Sequence, residues 1–321
     1  MNLTIAYCLV ASFTMGVVFL LDAFMQLRGV YARASQPIFM SSIFALLPVP
    51  ILFSLGEVSL IPFKIIVISF FGGVVLMLAD WIYLRILYDP QGDTIEDTLE
   101  LSFYDCGSPI LLVLYMGLIN LFGFKHYEEM TKDQMLGSLV VIGGVILLSA
   151  YGKKKGNVRF KRHIALLVFA ISVAGFQLIE DFSISIAMKN DSSMTLKDAF
   201  LGITPWFCIG FSSGMGVLLI RKERNHFWNQ LPVIFENKKI ILFSELIAII
   251  SFLATLGSLG SGHVVLVAAV TGSYPVVVLL GGIILRKRHP DMIEFLPSLN
   301  YLPVKIIATI AVIYGTTIAA R

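Results

Sequence analysis

Apolar stretches of membrane-crossing length alternate with short polar connections along the whole chain. A helix that crosses a bilayer needs roughly 20 mostly apolar residues. Reading for such runs predicts ten spans: Leu3–Phe24, Pro37–Leu55, Phe63–Leu84, Thr98–Phe122, Gln134–Tyr151, His163–Met188, Leu196–Ile220, Ile240–Leu256, His263–Leu285 and Pro303–Ala320. Gly and Pro interrupt several of them, which membrane helices tolerate because neighbours re-satisfy the freed backbone groups. The first run extends to about Leu21 without a basic segment before it. It is therefore expected to be a mature span rather than a signal peptide. The fold class expected is all-α, a polytopic membrane bundle of ten transmembrane helices.

Most connections are short, and three stand out. Asp89–Asp97 is acidic and turn-rich. Arg221–Lys239 mixes basic ends with Phe227, Trp228, Leu231, Val233, Ile234 and Phe235. It reads either as a segment lying on the membrane surface or as an ordinary loop. The basic run Lys153–Arg162 falls almost at the midpoint and reads as a linker.

The halves on either side of this linker align in order. At a shift of 159 positions Gly16 meets Gly175 and Asp22 meets Asp181. Further along, Gly107, Ser108 and Gly117 meet Gly272, Ser273 and Gly282, while Ile142 and Gly144 meet Ile313 and Gly315. The organisation expected is a five-helix repeat over 1–152, a linker over 153–162 and a second five-helix repeat over 163–321. With an odd number of spans, the second repeat enters the membrane from the opposite side. The repeats are then inverted, an arrangement that supports alternating access in many transporters.

Composition narrows the class. The 321 residues are 57% hydrophobic and 14% charged, with a mean hydropathy of +0.85 and a net charge of +3. A soluble domain carries about 25% charged residues, so a water-soluble globule and a disordered chain are both excluded. The basic balance reads as membrane-orientation charge rather than a nucleic-acid footprint. Cys8, Cys106 and Cys208 lie in separate apolar runs and suggest neither a metal site nor a disulfide framework. No HExxH, GxSxG, P-loop or GxGxxG pattern occurs, so no catalytic residue, metal or cofactor is expected.

Ionisable residues inside spans are costly and usually face a cavity or a partner. Asp22 and Asp181 occupy matching positions of the first helix of each repeat, with Glu180 beside the second. They are candidates for lining a pathway that takes a cationic group or a proton. The alternative is that each marks a helix end at the interface. Gln177 shares a helix face with Asp181. Asp105 and Ser108 precede Pro109, and Ser273 and Tyr274 precede Pro275. A Pro leaves a carbonyl unpaired about four residues earlier, and broken turns of this kind are where transporters place ligand groups. A packing kink is the competing explanation. Asp80, between Ala79 and Trp81, reads as an interfacial anchor, and Glu245, near Lys238 and Lys239, as an interfacial charge. Gly72-Gly73, Gly143-Gly144, Gly281-Gly282 and Gly210 with Gly214 read as helix-packing positions.

The segments Gly107–Lys155 and Gly272–His289 resemble the fourth and fifth helices of the EamA-like repeat of the drug/metabolite transporter superfamily. Pro109 and Pro275 occupy that pattern's proline position, and Gly143, Gly144 and Gly315 its Gly-rich fifth helix. Departures are Glu128 and Glu129 after a longer turn, and Arg286–Arg288 in the second half. The resemblance implies ten helices around a central cavity and transport of small metabolites, commonly their export. The function expected is a permease for a small organic solute, embedded in the cell membrane with the lipid bilayer as its partner. An intramembrane enzyme built on Asp22, Asp105, Glu180 or Asp181 is the rival, and a non-transporting scaffold is another.

Loop charge bears on orientation. The odd-numbered connections carry 18 of the 24 Lys and Arg residues and the even-numbered ones 5. The positive-inside rule then puts the odd connections in the cytoplasm and both termini outside. The family resemblance implies the reverse.

Overall fold

The computed structural model describes residues 3–56, 61–87, 111–112, 115, 131–150, 160–190, 194–261, 264–288 and 301–319. Among these the chain is all-α, with no strand. The helices are α1 (Leu3–Leu27), α2 (Ser35–Phe44), α3 (Pro48–Leu55), α4 (Phe63–Leu87), α5 (Lys132–Ala150), α6 (Phe160–Asn190), α7 (Leu196–Phe211), α8 (Arg221–Glu236), α9 (Lys238–Ser261), α10 (Val264–Thr271), α11 (Pro275–Arg288) and α12 (Leu302–Ala319). A 3₁₀ helix, Ser212–Leu219, continues α7.

Seven spans among the described residues are long and apolar enough to cross a membrane. They are α1, α2 with α3, α4, α6, α7 with its 3₁₀ extension, α9, and α10 with α11. Within α5 and α12 the apolar segments Met135–Leu147 and Leu302–Ile318 are shorter. The chain is thus a multi-pass membrane protein. The expected fourth span, Thr98–Phe122, falls almost wholly outside the described residues, as do Asp105, Ser108, Pro109 and most of the linker 153–162.

The exterior fits a lipid solvent. Phe13, Phe71, Ile171, Ile250 and Ile310 are exposed in the middle of their helices, a contiguous apolar surface that water would not tolerate. Backbone polar groups stay paired inside the helices, as hydrocarbon requires.

Helix breaks follow from sequence. Pro48 starts α3 after the turn that ends α2. Pro275 starts α11 after the turn Gly272–Tyr274, which separates it from α10. At the start of α7, Thr195 accepts from the Asp198 backbone N–H, and the Asp198 carboxylate accepts from the Thr195 N–H at 3.1 Å, a reciprocal cap.

Packing is closest where glycines let backbones meet. A side chain at Gly73 would strike the Phe207 carbonyl, and one at Gly210 the Phe70 carbonyl. This seam holds α4 against α7. Gly16 brings α1 against Val277 of α11, and Gly144 and Gly315 do the same for α5 and α12. Gly143, by contrast, faces open space. Trp206 packs edge-on against Phe53, with centroids 5.5 Å apart.

Because successive spans alternate in direction, one face of the bundle receives the end of α1, the start of α2, the end of α4, the start of α6 and all of α8. It carries Arg28, Arg33, Arg85, Arg221, Lys222 and Arg224 and is called the basic face below. Lys305, counted with the loop charges in the sequence, lies inside α12 and is fully buried.

Candidate functional site

A cavity of about 230 Å³ runs from near the basic face to past the middle of the bundle. α1, α2, α4, α6, α7, α9 and α10 wall it, together with the Gly272–Tyr274 turn. Three carboxylates from three helices reach it: Asp22 on α1, Asp80 on α4 and Glu245 on α9. Helix direction explains their convergence. Asp22 lies five positions before the end of α1 at Leu27, Asp80 seven before the end of α4 at Leu87, and Glu245 seven after the start of α9 at Lys238. At 1.5 Å per residue all three sit within about 10 Å of the same helix ends.

Each acid has different company. The Tyr83 hydroxyl donates to Asp22 Oδ2 at 3.3 Å. The Ser41 hydroxyl on α2 donates to Glu245 Oε1 at 3.0 Å, and Glu245 is buried. Asp22 and Asp80 are half-buried and face the open space. Among the described residues no Lys, Arg or His lies in the cavity wall. Unpaired carboxylates in a low-dielectric interior are strongly disfavoured, so protons or a cationic occupant would stabilise them.

The remaining wall is aromatic and small. Phe19 is the hub: its ring centroid is 4.9 Å from that of Tyr83 and 4.7 Å from that of Tyr274. Phe169 lies 6.2 Å beyond Tyr83. The Ser12 and Ser273 hydroxyls share a hydrogen bond of 2.9 Å, which pins α1 to the broken turn. Ser251 on α9 donates to the Ala11 carbonyl at 3.1 Å. An aromatic face and a carboxylate within one pocket suit an organic cation, which ring quadrupoles and negative charge both attract. Among the described residues no group of three or more His, Cys, Asp and Glu is assembled as a metal site.

The structure distributes the sequence candidates unevenly. Asp22, Gln177 and Tyr274 are cavity residues, and Ser273 stands behind Tyr274, bonded to Ser12. Glu180 and Asp181 are buried but lie outside the cavity wall. Glu180 is sealed within the layer nearer the opposite face, with neither carboxylate oxygen hydrogen-bonded. Asp105 and Ser108 lie outside the described residues. Asp80 and Glu245 correct the interfacial reading: both face the cavity. Their common depth with Asp22 is the signal that finds them. It needs the span directions as well as the residue type.

No protein-family model and no curated protein matches this chain. A solved chain described only as "Crystal structure of protein" is similar in fold, with a TM-score of 0.59 at 14% sequence identity. The match covers 98% of this chain and 96% of that one. At such identity the likeness speaks for the fold alone, over essentially the full length of both.

Proposed function

We propose that the chain is a secondary transporter of the EamA-like type. In this reading it moves a small organic solute bearing a cationic group through the central cavity by alternating access. The observation that carries this reading is the cavity: three carboxylates on three helices face it, and among the described residues its wall contains no basic side chain. A solute with one or two positive charges would supply the missing compensation, and the Phe19, Tyr83 and Tyr274 rings would hold its apolar part. At low pH protons compete for the same carboxylates, so solute binding weakens as pH falls.

Helix pairing supports two inverted five-helix repeats. Exchanging the halves turns the α1–α9 pair into α6–α4, and both pairs are in contact. The α5–α12 pair maps onto itself, as does the packing of α2 and α3 on α7 and its 3₁₀ extension. One relation departs from this symmetry. α4 lies tightly along α7, whereas its counterpart, α9 beside α2, makes only slight contact. That inequality fits one conformer of an alternating cycle, closed at the α4–α7 seam and open beside α2 and α9. The loop charges favour the basic face as cytoplasmic, so the end of the cavity that carries the three acids would lie toward the cytoplasm.

Proteoliposomes test the proposal. Saturable flux of a cationic amine that falls at least tenfold in Asp22→Asn or Glu245→Gln, with folded protein retained, is the expected result. Flux unaffected by either substitution overturns it. Chemical turnover of the solute in detergent, where no gradient exists, would favour an enzyme instead.

A further inference from the structure

The amphipathic helix α8 is the largest feature that the cavity leaves unexplained. It joins two membrane spans, Leu196–Leu219 before it and Lys238–Leu259 after it, so it lies where lipid headgroups are. One side is docked on the bundle. Phe227 and Ile234 are buried, and Phe227 meets Phe39 of α2 edge-on at 4.8 Å. Glu223 accepts from the Arg33 guanidinium at 3.1 Å and from the Ser35 hydroxyl at 2.6 Å. The Gln230 side-chain amide donates to the Gly29 carbonyl at 2.9 Å.

The adjoining side is exposed, has no partner among the described residues, and has a definite chemistry. Arg221, Arg224, Trp228, Pro232 and Phe235 recur at helical spacing, and all are exposed, Trp228 at 57% and Phe235 at 62%. Lys222 is exposed beside the first two. The basic residues sit at one end of this stripe and the aromatic ones toward the other. The helix's own acids do not neutralise the basic end: Glu223 is held by Arg33, and Glu236 stands at the far terminus. Indole and phenyl rings settle at headgroup depth, and clustered basic side chains attract anionic lipid phosphates.

We propose that this stripe is a binding surface for anionic phospholipid headgroups. Arg221, Lys222 and Arg224 engage the phosphates, and Trp228 and Phe235 insert beside the first acyl carbons. The docked side grips the segment from Gly29 to Ser35, which supplies Tyr31 to the cavity wall. Lipid composition therefore reaches the cavity through a short mechanical path. The proposal does not depend on what the cavity carries.

Trp228 is the reporter once Trp81 and Trp206 are replaced by Phe. The protein is reconstituted in phosphatidylcholine vesicles containing one quarter phosphatidylglycerol, with brominated chains on either lipid in separate samples. Per mole, brominated phosphatidylglycerol is expected to quench Trp228 about threefold more strongly, and the preference to vanish in Arg221→Gln/Lys222→Gln/Arg224→Gln. Equal quenching by both lipids, or a preference that survives the triple substitution, overturns the proposal. A preference erased by millimolar inorganic phosphate reassigns the basic end to free phosphate and also overturns it. Should the Trp-to-Phe background fail to fold, thermal denaturation of the otherwise unaltered chain decides. A rise in Tm given by phosphatidylglycerol but not phosphatidylcholine, absent in the triple variant, supports the lipid surface, and an equal rise with both contradicts it.

Discussion

The two halves of the bundle solve the same problem, placing acids in an apolar interior, in opposite ways. Near the basic face Asp22, Asp80 and Glu245 stand around open space, and hydroxyls of Tyr83 and Ser41 reach two of them. Further along α6, Glu180 is fully buried, without a hydrogen bond to either oxygen. Mid-bundle, Gly73 and Gly210 bring the α4 and α7 backbones together. The first arrangement leaves room for something to arrive; the second has none. The contrast separates acids placed to meet an occupant from an acid that packing has sealed.

The strongest way to break this comparison is to force the tight α4–α7 seam open. Gly73→Val or Gly210→Val puts a branched side chain against a facing backbone carbonyl, which no rotamer change relieves. Destabilisation of at least about 3 kcal/mol is expected, seen as lost monodisperse protein or a sharply lowered Tm. Gly143→Ala, where nothing lies within contact distance, is the control and should be close to neutral.

Removing charge from the open half comes next. Asp22→Asn, Asp80→Asn and Glu245→Gln keep shape and fold and should each weaken binding of a cationic solute about tenfold or more, a loss of about 1.4 kcal/mol. Binding measured from pH 8 down to pH 5 should weaken in the wild type, since protonation removes the negative charge that holds the cation. The triple variant should show no such pH dependence.

In the sealed half, replacing an unpaired buried acid with a hydrocarbon of similar volume removes a desolvation penalty. Glu180→Met is therefore expected to raise Tm at pH 8, by about 1 kcal/mol in stability, as read by thermal denaturation. A fall in Tm would show that Glu180 holds a partner which stabilises it. The smallest effect belongs to Tyr83→Phe. It deletes the 3.3 Å hydrogen bond to Asp22 while keeping the ring against Phe19. About 0.5 kcal/mol, roughly a twofold change in solute affinity, is expected by titration, because the bond is long.

Much of the fold was legible because hydrocarbon imposes a simple rule on sequence. The expected span Phe63–Leu84 became α4, Phe63–Leu87, and the expected Ile240–Leu256 became α9, Lys238–Ser261. The break before Pro275 was legible as well, since the ring removes a donor and blocks the preceding turn. Less of the site was legible. Asp22 and Asp181 matched in sequence, yet only Asp22 faces the cavity. Asp80 and Glu245 looked like residues at a membrane surface because each lies near a span end. In three dimensions those ends gather beneath α8 and the segment from Arg28 to Ala34, so the interface position in sequence becomes a cavity wall. Sequence gives depth along a helix directly, but which side of the helix meets a neighbour depends on packing.

The central claim is that the cavity holds a positively charged organic solute by Asp22, Asp80 and Glu245. Thermal denaturation of the purified protein with tryptamine and with its neutral N-acetyl derivative tests it most directly, because a ligand that binds the folded state raises Tm. The account predicts a concentration-dependent rise with tryptamine, little with the neutral derivative, and none with either in the Asp22→Asn/Asp80→Asn/Glu245→Gln variant. An equal rise with both compounds, or a tryptamine response that survives in the triple variant, would contradict it.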